Sequence, residues 1–254
     1  MGTSQLARHV LSGEVVPTHV RLNIPPIMID LSPRHMVVPR TARYYLLGTP
    51  SPLVRDVWIV CHGYGQLAAR FAEPFQPLVT PSRLIVVPEA LSRFYVDTTL
   101  PHTPNSAIGA TWMTREDRDA EIADIVTYLD SLYDLAFALL ASHGVSRDGT
   151  RIHALGFSQG AAEVTRWAAR GAAMVDHLVL WGSGVPPDVN VRALYERRPS
   201  LHYDLVYGTD DQFVTPAMVA KQKAALTAAG APYTVRPFQG GHTLHGQLLR
   251  ELMG

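Results

Sequence analysis

An α/β domain with a mostly parallel sheet and helices on both faces is what the sequence predicts, from three observations. Short apolar runs recur along the chain, several of them closing on a glycine or a serine. Stretches with helical spacing lie between most of these runs, and strands alternating with helices imply a parallel sheet. The runs are apolar at consecutive positions, as expected of strands buried on both faces. A chain of 254 residues, 47% of them hydrophobic, is long enough to bury one such core.

Residues 1–34 contain Pro17, Pro25, Pro26 and Pro33, which break any long periodic pattern, and read as an N-terminal extension. Residues 35–254 read as a single domain. Its first strand, from His35 to about Gly48, carries Pro39, which points to an antiparallel edge strand. DVWIVC leads into His62-Gly63-Tyr64-Gly65, and further strands are expected at 83–87, 151–157, 177–181, 201–207 and 233–238. The longest helix is expected to begin at Thr114, with Asp117 completing a capping box, and to stop at Gly144. Other helices fit 159–170, 216–229 and 243–252. Residues 88–113 hold no sustained period but several aromatics, and read as an ordered loop inserted near the site.

Composition excludes several kinds of chemistry. Twenty-two basic side chains balance 22 acidic ones, so no basic surplus exists for nucleic acid or an anionic membrane surface. Cys61 is the lone cysteine and Lys221 and Lys223 the only lysines, which removes disulfide frameworks and leaves amine nucleophiles almost without candidates. No apolar run reaches the roughly 18 residues of a membrane span, and no secretory h-region opens the chain. The expected setting is cytoplasmic, without a metal or cofactor.

The chemistry is carried by Gly156-Phe157-Ser158-Gln159-Gly160, which follows an expected strand and opens an expected helix. That context is the one a nucleophile elbow requires, with small residues on either side of a strained serine. A serine nucleophile needs a histidine base and an orienting carboxylate, which in this arrangement follow it in the chain as acid and then histidine. His242, in Gln-Gly-Gly-His after the last expected strand, fits the base. His245 stands three residues on, with no further ligand to make a metal site. Asp210 and Asp211, after the penultimate strand, both qualify as the acid, and position does not choose between them. The oxyanion would be held by the backbone amides of Gln159 and of Tyr64. His62 reads as a structural hydrogen-bonding residue. Phe94, Tyr95, Trp112 and Met113 are candidates for an apolar substrate pocket.

With HGYG at 62–65, GFSQG at 156–160, G-x-x-D-x-x-V at 208–214 and GGH at 240–242 in this order, the chain resembles the α/β-hydrolase fold. Within that fold it is similar to the acyl-protein thioesterase/phospholipase-carboxylesterase family, in particular to its bacterial predicted esterases. The resemblance selects Asp211 as the acid. It departs from the family pattern at Ala161, where a second glycine is common, and at Gln212, where a proline is. The activity implied is serine carboxylesterase chemistry on small esters or thioesters through a Ser158-His242-Asp211 triad and an acyl-enzyme. An acyltransferase or a non-catalytic binding relative is the alternative.

Overall fold

The computed structural model describes residues 31–98 and 100–254; of the expected extension, residues 1–30 lie outside that range. Residues 31–40 carry neither helix nor strand, and Thr41–Gly254 form one compact unit. Its strands β1 (Tyr44–Leu47), β2 (Asp56–Cys61), β3 (Arg83–Pro88), β6 (Arg151–Phe157), β7 (His177–Trp181), β8 (His202–Gly208) and β9 (Tyr233–Phe238) make one sheet. The order is β1-β3-β2-β6-β7-β8-β9. All neighbours are parallel except β1 against β3. A mostly parallel sheet with helices on both faces is thus the observed architecture.

Side chains alternate across this sheet, and each face has its own core. Val57 and Ile59 of β2 and Leu84 and Val86 of β3 face α2 (Arg118–Ala141), α3 (Gln159–Arg170), α4 (Val191–Arg197) and α5 (Pro216–Ala229). Trp58, Val60, Ile85 and Val87 face α1 (Ala68–Phe71), the 3-10 turn Glu73–Leu78 and α6 (Gly246–Met253). The chain leaves β2 toward β3 on one side and reaches β6 on the other. A crevice therefore opens at the carboxyl ends of β2 and β6, the place where open α/β sheets bind ligands.

Three expected boundaries shift. The edge strand begins at Tyr44, not His35, because Tyr44 already faces Pro88, the last residue of β3. Beyond that pair a single bond remains, Glu89 N–H to Arg43 O at 3.1 Å, and Pro39 lies outside the ladder. α2 begins at Arg118, because Asp117 adopts a left-handed φ of 49° that interrupts the helix. Thr114 instead caps a turn ahead of it: its hydroxyl accepts from the Glu116 N–H at 3.2 Å, and Glu121 reaches back to the Thr114 N–H at 2.6 Å. α6 starts at Gly246, with the His245 ring as its N-cap, accepting from the Leu248 N–H. At the other end of α2, Gly144 (φ 77°) provides the expected stop.

Residues 88–113 contain a two-stranded antiparallel ribbon, β4 (Ser92–Tyr95) with β5 (Ile108–Thr111), in the register Ser92↔Thr111. The ribbon is fastened to the loop after β2 by Gly65 N–H to Ala110 O (2.8 Å) and Ala110 N–H to Gln66 O (3.1 Å). Glu89, buried at its root, accepts from Arg43, from Arg93 and from the Ala68 amide. Burial alone would raise the Glu89 pKa, but the Arg43 and Arg93 bonds outweigh it and hold the carboxyl below its usual range.

Near the amino ends of the strands lies a ladder of histidines. His153, His177 and His202 are register partners on adjacent strands. His153 stacks on Trp58 at 4.3 Å and bonds Asp56 at 2.9 Å, and His177 bonds Asp204 at 2.7 Å. Burial pushes the His153 pKa down to about 4, with His177 and Arg151 adding to the effect and the Asp56 bond opposing it. A histidine harder to protonate folded than unfolded stabilises the fold above pH ~6.5, and that contribution is lost as pH falls toward ~4. The drop expected from His153 is on the order of 3 kcal/mol. Urea denaturation at pH 7.5 and 4.5 should show a markedly smaller acid-induced loss for His153→Gln. Identical losses in the two proteins would refute the assignment.

Candidate active site

Ser158 sits between β6 and α3 with φ 54° and ψ −115°, a conformation L-residues rarely adopt. Such backbone strain costs about 1–3 kcal/mol and persists only where surrounding structure enforces it. Here the Ser158 N–H is held by Trp181 O at 2.7 Å. On the far side, α3 is wedged against the end of β2: a Cβ on Gly160 would lie 2.3 Å from Cys61 O and 2.7 Å from His62 O. The serine does not cap its helix, so its hydroxyl is left out of the α3 N-terminus, and the free amides and positive dipole end there face the crevice.

His242 follows β9 and turns back over the end of β7. Its ring lies 4.8 Å from that of Phe157, and a Cβ on Gly182 would be 2.8 Å from its Cε1. Gly182 also has φ 65°, so a side chain is excluded there twice over. Of the two aspartates it is Asp211 that meets His242, at 2.7 Å from Oδ2 to Nδ1. Its Oδ1 accepts from the Phe213 N–H at 2.8 Å, and the carboxylate is almost wholly buried. Asp210 is exposed and bonds Gln239. Among the described residues the Ser158 hydroxyl and His242 Nε2 share no hydrogen bond.

The loop after β2 comes to the same place. Gly63 N–H donates to Gln66 Oε1 and Gly65 N–H to Ala110 O, while the Tyr64 N–H between them has no acceptor among the described residues. His62 is fully buried: its Nδ1 contacts Gly63 O, its Nε2 accepts from the Ala90 N–H, and burial lowers its pKa. It is a structural residue.

A family model described as Phospholipase/Carboxylesterase matches residues 49–253. The chain belongs to the phospholipase/carboxylesterase family. It has the α/β-hydrolase fold, and hydrolysis of small esters is the general activity that goes with this membership. A carboxylesterase from Mesorhizobium loti is similar over 86% of this chain and 97% of its own, with a TM-score of 0.61 at 18% identity. A Bacillus cereus carboxylesterase is similar over 84% and 93%, with a TM-score of 0.58 at 16% identity. Zea mays acyl-protein thioesterase 2 is similar over 84% and 96%, with a TM-score of 0.56 at 17% identity. At these identities the likeness concerns the fold. A search of curated proteins found no match.

In this phospholipase/carboxylesterase chain a cavity of about 360 Å³ opens beside His242, at the small end of the ~300–1,000 Å³ range of ligand pockets. Leu67, Phe71, Ile108, Phe157 and Leu244 form its apolar walls, with Arg70 among them. None of the four aromatic or methionine candidates lines it. Trp112 is 2% exposed and its indole donates to His62 O at 2.8 Å. Met113 packs against the core. Phe94 lies against Tyr64 (5.1 Å), and Tyr95 stacks on His102 (4.0 Å).

Two contributions are not visible from motif spacing. The Gln159 side chain accepts from the Trp112 N–H and donates to Met113 O and Thr111 Oγ1, which clasps the ribbon to the elbow. Phe213, exposed by 59%, sits edge-on to His242 at 4.8 Å. Its place two residues after Asp211 was the only available signal. Among the described residues no group of three or more His, Cys, Asp or Glu side chains could hold a metal ion, and no helix is long and apolar enough to cross a membrane.

Proposed function

We propose that the protein is a serine carboxylesterase acting on small carboxylic esters, thioesters among them, through Ser158, His242 and Asp211. The observation that carries this reading is the His242–Asp211 bond of 2.7 Å, with the His242 ring packed against Phe157 and Gly182 beside the serine.

In the proposed reaction the Ser158 hydroxyl rotates toward His242 as the ester binds, a bond that commonly tightens only in the substrate complex. Serine Oγ attacks the carbonyl carbon and its proton passes to His242 Nε2. Asp211, on Nδ1, fixes the ring tautomer and stabilises the imidazolium. The carbonyl oxygen becomes an oxyanion held by the free Tyr64 and Gln159 amides at the positive end of α3. His242 then protonates the leaving alkoxide or thiolate, and the ester bond breaks. Water, deprotonated by the same histidine, releases the acid from the acyl-enzyme.

The test is covalent labelling. A fluorophosphonate probe should modify Ser158, identified by peptide mass spectrometry, and Asp211→Asn should slow that labelling by two or more orders of magnitude, because the tautomer is no longer set. Labelling elsewhere, or none, would overturn the reading. Label formation followed by preferential transfer of acyl groups to an added alcohol would assign the transferase reading instead.

A further inference from the structure

The cavity beside His242 has mixed walls, with Gln66 and Thr243 among the apolar side chains, and carries one charge that the reaction above does not use. Arg70 lies on α1 between the buried Ala68 and Phe71 and is itself exposed to the cavity. No aspartate or glutamate lines that space. Among the described residues Arg70 has neither an ion-pair partner nor a side-chain hydrogen bond. Glu73, three residues on, is exposed and does not pair with it. Several other arginines of the domain are matched by carboxylates: Arg43 and Arg93 by Glu89, Arg118, Arg166 and Arg170 by Asp188, Arg236 by Asp204, and Arg147 by Asp134. Among the described residues Arg115 and Arg250 are unmatched as well, but neither lines the cavity. Asp211 cannot serve, because it is buried behind the ring on Nδ1.

An unpaired guanidinium on the wall of a small cavity that holds no acidic side chain is a receptor for an anion, and a planar carboxylate matches its donor fork. The direction of proton transfer says which end of the substrate carries it. His242 protonates the departing oxygen, so the space against its ring is where the alcohol part of the ester lies. We propose that Arg70 selects esters whose alcohol portion bears a carboxylate. This rests on the serine carboxylesterase reading and names its substrate class.

The experiment compares 4-acetoxybenzoate with 4-acetoxybenzamide, which share a scissile bond and differ in one negative charge. For the wild type the ratio of kcat/KM should favour the anion. Arg70→Gln should lower that ratio roughly five- to fifteenfold, through KM of the anionic ester, which spans an exposed ion pair and a charge-assisted hydrogen bond. Arg70→Lys should recover part of it, and 0.5 M NaCl should compress it in the wild type. Arg147→Gln, a charge change on a distant pair, should leave the ratio alone. An unchanged ratio in Arg70→Gln, with both esters turned over and Ser158 labelled by fluorophosphonate, overturns the Arg70 assignment alone. No turnover of either ester and no label on Ser158 overturns the esterase reading, and this one with it.

Discussion

Ser158→Ala should lower kcat on short p-nitrophenyl esters by about 10⁴-fold or more, with KM changed little. The reason is geometric. On the proposed reading, truncating the hydroxyl removes the one atom that would form the covalent bond, while the cavity and the Tyr64 and Gln159 amides remain to bind the ester. Alanine at φ 54° is strained to the same degree as serine, so stability should stay within about 0.5 kcal/mol of the wild type. That pairing of lost turnover with intact folding separates a nucleophile from a structural serine. A variant retaining a tenth of the wild-type rate would remove Ser158 from the mechanism.

Gly160→Ala should lower stability sharply. The added methyl would sit 2.3 Å from Cys61 O, 2.7 Å from Cys61 C and 2.7 Å from His62 O. These are backbone atoms at the end of β2, where Cys61 is paired with Gly156 of β6, and of the residue after it, so no side chain can move aside. Overpacking usually costs about 1–3 kcal/mol. With backbone on the receiving side a loss of at least ~3 kcal/mol is expected, which for a protein of this size lowers Tm by roughly 6–12 °C. Gly149→Ala is the control, since its nearest contact is Ser146 Oγ at 3.6 Å. Differential scanning calorimetry of the two variants decides the matter, and equal melting temperatures would contradict the wedge.

The parts of this molecule that were legible in the sequence are those whose cause is local. β2, β3, β6, β7 and β8 are largely apolar runs because both their faces are buried, whereas β9, at the sheet edge, is half-buried; the carboxyl ends of these strands lead to the loops around Ser158, Asp211 and His242. The ribbon was not legible, because four-residue strands have no measurable period and are held by remote partners: Gly65, Gln66 and the Gln159 side chain. The start of α2 was misplaced because Thr114 and Asp117 have the composition of a helix cap. The left-handed turn at Asp117 depends on what surrounds it. Trp112 is ambiguous in the sequence for a related reason. An aromatic in an irregular stretch reads the same whether it faces ligand or, as here, donates its indole to a buried carbonyl. The cavity walls on α1 went unnoticed because that helix is one turn long.

The backbone of Ser158 has one further implication. A residue at φ 54°, ψ −115° is not held there by its sequence neighbours. It stays because Trp181 O grips its amide from β7 and the end of β2 braces Gly160 from the other side. β2, far back in the chain, meets β6 and β7 around the serine only when the central sheet has formed. On the proposed reading, a nascent or half-unfolded chain has no reactive serine at all. Hydrolysis then begins abruptly with completion of the sheet, and recovery of ester turnover during refolding should track the last cooperative step rather than the formation of helices.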